Sequence, residues 1–319
     1  MNSLIVERTL GLAQLQDGGR FGVRHLGVTQ GGALDWIALG WANWLLGNAP
    51  TACALEIPMG GITLHCESDT TLALTGADLA VVLDDQPIAS WRTFSVRRGQ
   101  RLQFNSPRNG VRAYLAAPGG FSAPLVLGSA ATVTREGLGG LDGSGQALRQ
   151  NDRLIFEDLA NSPRTMPEEH IPAYGQPALL ELIPGAQIAG FTGESLFRAF
   201  NHPWRIDPRS DRMGIRLSGK SLRYTGEPLI SEGIPLGAVQ VPPDGQPIVL
   251  MNDRQTIGGY PRLGALTPVS VARLAQCATG DEIRLVAVGQ GKARKEMIEA
   301  WNGRLFQREG RPNQTYRGV

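Results

Sequence analysis

The chain has 319 residues, of which 42% are apolar and 19% are charged. This length and composition fit a folded protein with one large core or two ordinary ones. Its 31 Lys and Arg nearly balance its 29 Asp and Glu, so no surplus of positive charge favours a nucleic-acid partner.

The cysteines and the N-terminus indicate the compartment. Cys53, Cys66 and Cys277 have no paired spacing, which argues against a zinc site and a disulfide framework and favours a reducing cytoplasm. Charged residues stand near the N-terminus where a signal peptide needs its apolar run. The longest apolar stretch, residues 36–47, is interrupted by Asn43 and is too short to cross a bilayer. We therefore expect a cytoplasmic protein with no membrane partner.

Three helices are predicted, in chain order. The first covers residues 35–46, with Asp35 as its N-cap. The second begins at Thr267, a capping residue followed by proline at the first helical position, and ends near Gly280. The third covers residues 292–307, where apolar residues form one stripe among alternating charges, and is expected to pack on the body as a tail helix.

The remainder is predicted to be mainly β. The 41 glycines and 21 prolines are spread along the chain, as is typical of many short strands and turns. Apolar and polar residues alternate, as they do in half-buried strands, at residues 71–75, 101–104, 112–115 and 282–286.

Two β-rich lobes are expected. The turn-and-strand sequence of residues 84–88 recurs at residues 244–248, which suggests an internal duplication, although such turn chemistry also recurs by chance. The proline-rich, strand-poor segment 161–177 is the best boundary. The predicted domains are an N-terminal lobe, a C-terminal lobe, and a tail helix with the terminus, at residues 1–165, 175–290 and 291–319.

Residues 214–221, which end in Lys220 and Ser221, match the formal P-loop pattern. A P-loop follows a buried apolar strand and opens a helix. Here a polar, proline-containing segment precedes the match, and the residues after it do not favour a helix. The sequence therefore does not predict a P-loop. It also contains no Gly-x-Ser-x-Gly elbow, and its four histidines occur in unrelated settings, so neither a serine hydrolase nor a metal site is predicted.

The strongest candidate site is the polar segment 251–261, which follows the apolar run 248–250. Gly258 and Gly259 can adopt φ values closed to other residues, so their amides could point together at a carboxylate or a developing oxyanion. Side-chain donors are supplied by Gln255, Thr256 and Tyr260. A simple glycine turn between strands is the alternative interpretation.

A second candidate is the segment 208–214, where Arg209 and Arg212 flank a serine and an aspartate. Guanidinium groups bind carboxylates through two parallel hydrogen bonds, so this segment could bind a substrate carboxylate. A solvated loop held by salt bridges explains the same residues equally well.

Several short motifs then occur in order along residues 4–288. They are residues 16–20, 32–35, 42–48, 54–56, 74–77, 114–120, 127–129, 210–217, 240–242 and 255–261. Together they resemble the biotin-dependent carboxyltransferase family, in the branch of allophanate hydrolase subunit 2 and the 5-oxoprolinase C subunit. One departure is Ile257, where the family usually has a second threonine, so the candidate site lacks that hydroxyl.

The resemblance implies a fold and a function. The fold is a cyclophilin-like β-barrel, mainly β with a few helices. Stand-alone members act with the A and B subunits of 5-oxoprolinase to hydrolyse 5-oxo-L-proline to L-glutamate, driven by ATP, so ATP is a cofactor at the level of the complex. No lysine here neighbours a methionine, so no covalently bound biotin is expected on this chain.

The resemblance, with residue chemistry, also implies roles for the two candidate segments. Arg209 or Arg212 would bind the 5-oxoproline carboxylate, and the Gly258 and Gly259 amides would bind the lactam carbonyl oxygen.

The expected catalytic residues lie in the same loop. Gln255 would assist the glycine amides, Tyr260 would form a wall beside the ring, and Asp253 would orient water or an arginine. Thr256 is also expected among the catalytic residues, because its hydroxyl is a hydrogen-bond donor.

Similar sequences have two other functions, which stay open as alternatives. Some form half of the carboxyltransferase domain of urea carboxylase and receive carboxybiotin from a separate carrier. Others are regulatory modules that antagonise an inhibitor of a sporulation kinase. The stand-alone length favours the oxoprolinase role.

Overall fold

The computed structural model of the chain describes residues 2–157, 164, 166–168, 171–175 and 177–300. Within these residues the chain is mostly β, with four α-helices. The part of the third predicted helix beyond residue 300 lies outside the described residues. None of the described helices is both long enough and apolar enough to span a bilayer.

The described residues of the N-terminal lobe form eleven strands in two sheets and one α-helix, α1 (Trp36–Leu45). One sheet has the order β11-β1-β4-β9-β6-β7 and the other β2-β3-β10-β5-β8. The strands are β1 (Asn2–Thr9), β2 (Gln14–Gln16), β3 (Ala54–Pro58), β4 (Ile62–Cys66), β5 (Thr70–Asp78), β6 (Val82–Leu83), β7 (Gln86–Pro87), β8 (Arg92–Val96), β9 (Arg101–Phe104), β10 (Asn109–Ala116) and β11 (Arg153–Phe156).

The five-stranded sheet is buried on both faces. Leu74 and Leu115 point into the core between the two sheets, whereas Ala73 and Tyr114 belong to the cluster that packs under α1. Because successive side chains of a strand point to opposite faces, both halves of the alternating pattern are buried here. This explains why a tyrosine lies in the interior, where its hydroxyl needs a polar partner.

The C-terminal lobe is a closed seven-stranded barrel of order β12-β19-β16-β17-β14-β13-β20. It closes because β20 pairs with β12 in parallel. A separate two-stranded ribbon pairs β15 with β18. The strands are β12 (Ala178–Pro184), β13 (Trp204–Ile206), β14 (Gly214–Ser218), β15 (Glu232–Gly233), β16 (Ala238–Gln240), β17 (Ile248–Leu250), β18 (Ile257–Gly258), β19 (Arg262–Leu266) and β20 (Glu282–Ala287), and the helices are α2 (Gly193–Asn201), α3 (Pro268–Leu274) and α4 (Gln290–Ile298).

The mainly β fold with a barrel, two lobes and a C-terminal helix is confirmed. The first predicted helix is α1, and the Asp35 carboxylate accepts a hydrogen bond from the Ala38 amide as an N-cap does. The third is represented by α4, and the domain boundaries stay predictions. Residues 214–218 of the P-loop match form strand β14, and residues 219–231 contain no helix, so the segment lacks P-loop geometry.

Two helix predictions need correction. Helix α3 begins as expected, with Thr267 as N-cap and proline at its start, but it ends at Leu274 rather than near Gly280. The physical reason is Gln276, whose side chain bonds the backbone amides of β10 and the Asp35 carboxylate, contacts that a continued helix would break. Helix α2 was not predicted, although the Thr192 hydroxyl caps it.

Candidate functional site

The two lobes meet at the first half of the candidate loop, residues 251–254, which is buried. The Asn252 side-chain amide donates to the carbonyl oxygens of Gly31, Gly32 and Ala33, at 3.2, 3.3 and 2.9 Å. The Gly31 amide donates back to the Asn252 carbonyl at 3.2 Å. Gly32 has a φ of +93° and lies against Gly19, so a side chain there would be strained and would collide with backbone. The loop thus anchors the barrel to the N-terminal lobe.

Arg212 and Asp253 lie together at this junction. The Arg212 Nε and Nη2 donate to the two Asp253 carboxylate oxygens at 2.9 and 3.1 Å. Its Nη1 donates to Glu56 Oε1 at 2.6 Å, and Nη2 also donates to the Gly32 carbonyl at 2.7 Å. Burial disfavours the charged guanidinium, but Asp253 and Glu56 more than offset this and hold the pKa of Arg212 above its usual value. Arg212 is therefore engaged by protein groups on all three nitrogens.

Glu56 extends this network into the N-terminal lobe. Its Oε2 accepts hydrogen bonds from the Tyr114 hydroxyl at 2.7 Å and the Leu34 amide at 3.0 Å. The Tyr114 hydroxyl in turn accepts from the Asp35 amide at 2.8 Å. The network therefore ties Arg212 of the barrel to strands β3 and β10 and to the start of α1.

Arg209 is not drawn into this junction. It is 73% exposed and pairs with Asp207, from Nε to Oδ1 at 2.8 Å and from Nη2 to Oδ2 at 2.9 Å. The Arg209 side chain and backbone amide hold the pKa of the Asp207 carboxyl well below its usual value. This is the solvated, salt-bridged turn that the sequence left open as an alternative.

The second half of the loop forms the ribbon strand β18 beside β15. The Thr256 carbonyl accepts from the Ile234 amide at 3.0 Å and from Arg24 Nη2 at 3.1 Å. Neither Gly258 nor Gly259 has a positive φ, so the expectation that they adopt conformations closed to other residues is wrong. Gly258 is instead required for space, because a Cβ there would lie 2.6 Å from the Ile234 Cδ1.

The space beside Gly258 contains two side-chain amide nitrogens. From the point where a Gly258 Cβ would lie, Gln240 Nε2 is 3.1 Å away and Gln255 Nε2 is 3.6 Å away. Gln240 is buried, and its Nε2 has no hydrogen-bond partner among the described residues. These side chains leave little room for a methyl group on Gly258, and we call the closely packed region bounded by Ile234, Gln240 and Gln255 the Gly258 pocket. Amide donors that lack an acceptor are suited to bind a carbonyl or carboxylate oxygen.

Tyr260 follows the ribbon and is half exposed. It lines an open groove of about 440 Å³ on the barrel, together with Tyr224, Arg223 and Pro242. Tyr260 is therefore placed where it could form a wall for a small molecule. A Cβ added at Gly259 would meet its nearest atoms at ordinary distances of 3.4 Å or more, so an alanine fits there.

Sequence reasoning missed Glu56, Asn252 and Gln240 as parts of the site. Each carried a weak signal, because Glu56 is a charged residue within an otherwise apolar strand and Gln240 ends a buried strand. No group of three or more histidine, cysteine, aspartate or glutamate side chains is placed to hold a metal ion within the described part of the chain.

Comparisons with known proteins identify the family of the chain. A family model described as "Carboxyltransferase domain, subdomain A and B" matches residues 26–287. The chain is 41% identical to the 5-oxoprolinase C subunit of Escherichia coli (strain K12) over 288 residues, which are 88% of this chain and 90% of that protein. It is 37% identical to the 5-oxoprolinase C subunit of Haemophilus influenzae over 290 residues, 89% of this chain and 90% of that protein.

The fold is also similar to part of a much larger solved structure. The crystal structure of the Kluyveromyces lactis urea amidolyase superposes with a TM-score of 0.87 at 25% sequence identity. The match covers 94% of this chain but 19% of the urea amidolyase chain. The shared region is therefore one module of that enzyme.

Proposed function

The chain belongs to the carboxyltransferase domain family, subdomain A and B, and from this membership we propose that it is the C subunit of an ATP-dependent 5-oxoprolinase. In this proposal it acts with the A and B subunits, in the cytoplasm, to hydrolyse 5-oxo-L-proline to L-glutamate. The observation that carries the proposal is the 41% identity to a 5-oxoprolinase C subunit over 90% of that protein's length. The three free cysteines support a reducing compartment.

The site would act on the lactam, whose carbonyl is a poor electrophile, so that hydrolysis needs activation by ATP within the complex. Gln255 would bind the lactam oxygen, where negative charge develops during attack by water. Tyr260 would limit the position of the ring. Asp253, with both carboxylate oxygens on Arg212, would act by holding that arginine and the loop. ATP is assigned to the complex and to no residue of this chain.

One second function has a specific observation in its favour. The superposition on the urea amidolyase structure supports a carboxyltransferase role, in which the same loop would receive a carboxyl group from biotin on another chain. This function is the lesser candidate, because the chain corresponds to 16% of the urea amidolyase sequence of Saccharomyces cerevisiae, whereas it matches the 5-oxoprolinase C subunits over 90% of their length.

The proposal is tested by reconstitution. Purified A and B subunits from the same organism are incubated with 5-oxoproline and ATP, with and without this chain, and glutamate and ADP are measured. We expect glutamate only when the chain is present. The Gln255→Ala chain should assemble normally and lower kcat/KM, whereas Arg98→Ala, at an exposed position of the N-terminal lobe, should behave as the unmodified chain.

A chain that binds its B partner but adds no turnover would overturn the proposal. The carboxyltransferase role would then be tested with a biotin carrier and urea as the carboxyl acceptor. Unchanged activity of both Gln255→Ala and Arg212→Ala chains would overturn the assignment of the loop, even if the chain proved essential.

A further inference from the structure

Two arginines from different lobes meet at the ribbon formed by β15 and β18. Arg24 lies in a 3-10 turn of the N-terminal lobe, at Arg24–Leu26, and Arg254 lies in the candidate loop. Both donate to the same backbone oxygen, the Ile234 carbonyl, with Arg254 Nε at 3.1 Å. Arg24 Nη2 also donates to the Thr256 carbonyl at 3.1 Å. We call Arg24 and Arg254 the paired arginines.

The paired arginines have no carboxylate partner of their own. Among the described residues, no carboxylate oxygen lies within 4.0 Å of either guanidinium. The neighbouring acids are already engaged: Asp253 by Arg212, Glu136 by Thr29 and Glu232 by Arg262. Arg254 has only neutral acceptors, namely two carbonyls and the Gln30 side chain.

Electrostatics agrees with the geometry. Arg254 is buried, and burial, together with the like charge of Arg24, lowers the pKa of Arg254 to about 10, although the Asp253 carboxylate opposes this shift. Arg254 is still a cation at neutral pH, and a bound anion would compensate its charge. Arg24 has donors that a ligand could use, because its Nε and Nη1 have no hydrogen-bond acceptor within the described part of the chain.

The paired arginines adjoin the Gly258 pocket through one residue. Ile234 presents its carbonyl oxygen to both guanidiniums, and its Cδ1 bounds the pocket 2.6 Å from the Gly258 Cβ position. Cationic donors and neutral amide donors therefore lie on two sides of the same buried residue. The guanidiniums suit a carboxylate, and the side-chain amides suit a carbonyl oxygen.

We propose that Arg24 and Arg254 together form the binding site for the substrate carboxylate, with the adjacent carbonyl directed at Gln240 and Gln255. This inference rests on the proposed function and moves the carboxylate site away from Arg209 and Arg212. Arg209 is paired with Asp207 in solvent, and Arg212 is occupied by two carboxylates and a carbonyl. The substrate would thus lie between an arginine of each lobe, and the site would be complete only when the lobes are joined.

The test compares 5-oxoproline with 5-oxoprolinamide, which replaces the carboxylate by a neutral group of the same shape. Binding of each to the assembled complex is measured by calorimetry without ATP, and turnover of 5-oxoproline is measured in parallel. The variants are Arg24→Ala and Arg24→Lys, with Arg98→Ala as the control that removes an equal charge from an exposed site. Thermal melting of each complex confirms that the variants are folded.

We expect Arg24→Ala to weaken 5-oxoproline binding and to raise its KM about ten- to a hundred-fold, the range for losing a hydrogen bond to a charged group. The preference for 5-oxoproline over the amide should largely disappear, Arg24→Lys should restore part of it, and Arg98→Ala should leave it intact. The KM for ATP should not change.

Two binding results would overturn the inference: an unchanged preference for 5-oxoproline in a folded Arg24→Ala complex, or equal binding of the two probes by the unmodified complex. A KM raised for ATP alone would also overturn it, because it would assign the paired arginines to a phosphate. If the unmodified complex prefers 5-oxoproline but releases no glutamate, the carboxylate site stands and the proposed function fails.

Discussion

Arg212 and the paired arginines lie on the same loop system but differ in what surrounds them. Arg212 is in contact with the carboxylates of Asp253 and Glu56 and with a backbone carbonyl, whereas Arg24 and Arg254 contact only neutral acceptors. A buried charge with matched partners stabilises an arrangement of the chain, and removal of one partner is strongly destabilising. Arg254 also donates from all three nitrogens, but only to neutral acceptors, and Arg24 leaves its Nε and Nη1 without an acceptor among the described residues, so this pair can still bind an anion. We therefore assign Arg212 to the joining of the lobes and the paired arginines to substrate binding.

The largest loss of stability should come from removing Arg212, whose guanidinium contacts two carboxylates. Arg212→Met keeps much of the side-chain volume but leaves the Asp253 carboxylate buried without its cation and leaves Glu56 with only Arg112 Nε, at 4.0 Å. We expect a loss of about 3–5 kcal/mol in the free energy of unfolding, measured by denaturant unfolding. Arg209→Met, at an exposed ion pair, should leave the melting temperature unchanged. A stable Arg212→Met protein with only a raised KM for 5-oxoproline would reverse the assignment.

A smaller loss is expected where the network enters the N-terminal lobe. Tyr114→Phe leaves the buried Asp35 amide without its acceptor and removes one donor from Glu56. This should lower the free energy of unfolding by about 1–3 kcal/mol while kcat and KM stay near those of the unmodified complex. Tyr260→Phe, at a half-exposed ring, serves as the matched control for stability. A kinetic defect in folded Tyr114→Phe would show that the network does more than join the lobes.

A substitution at Gly258 tests the proposed substrate site, in contrast to the Arg212 network that joins the lobes. A Cβ in Gly258→Ala would lie 2.6 Å from Ile234 Cδ1 and 3.1 Å from Gln240 Nε2, so these side chains or the ribbon must shift where the substrate is proposed to bind. We expect kcat/KM to fall about ten-fold or more, since small displacements of positioning groups are costly. Gly259→Ala has room for its methyl group and should retain activity. Equal behaviour of the two variants would remove the pocket from the site.

The smallest change in stability should come from the amide nitrogen that has no partner. Replacing Gln240 by methionine removes a buried donor that bonds no described residue, and such a replacement should alter the free energy of unfolding by only about 1 kcal/mol or less. If Gln240 donates to the lactam oxygen, kcat/KM should nevertheless fall clearly. Loss of stability with unaltered kinetics would identify Gln240 as a structural residue.

Local sequence features predicted the parts of the fold that depend on local chemistry. Asp35 and Thr267 are capping residues, and both cap helices at the expected starts. The end of α3 could not be predicted in the same way, because Gln276 bonds strand β10 and Asp35, which are distant in sequence. Tertiary hydrogen bonds, rather than helix propensity, decide where that helix stops.

The candidate site was predicted as a segment but not as a set of contacts. Arg212 and Asp253 were both singled out, yet their pairing depends on the register of β14 with β17, which continues as a hydrogen bond from the Asp253 amide to the Arg212 carbonyl at 2.9 Å. Arg24 belongs to no sequence motif, because its proposed role in binding depends on the lobe arrangement that brings it to Ile234. A single sequence shows which side chains are available, whereas the lobe arrangement shows which of them lack a partner.

The most direct test is a crystal structure of the assembled complex with bound 5-oxoproline. We predict that the carboxylate lies within hydrogen-bond distance of Arg24 and Arg254, that the lactam oxygen faces Gln240 and Gln255, and that Arg212 keeps its contacts with Asp253 and Glu56. A carboxylate bound by Arg209, or by an Arg212 released from Asp253, would contradict this assignment.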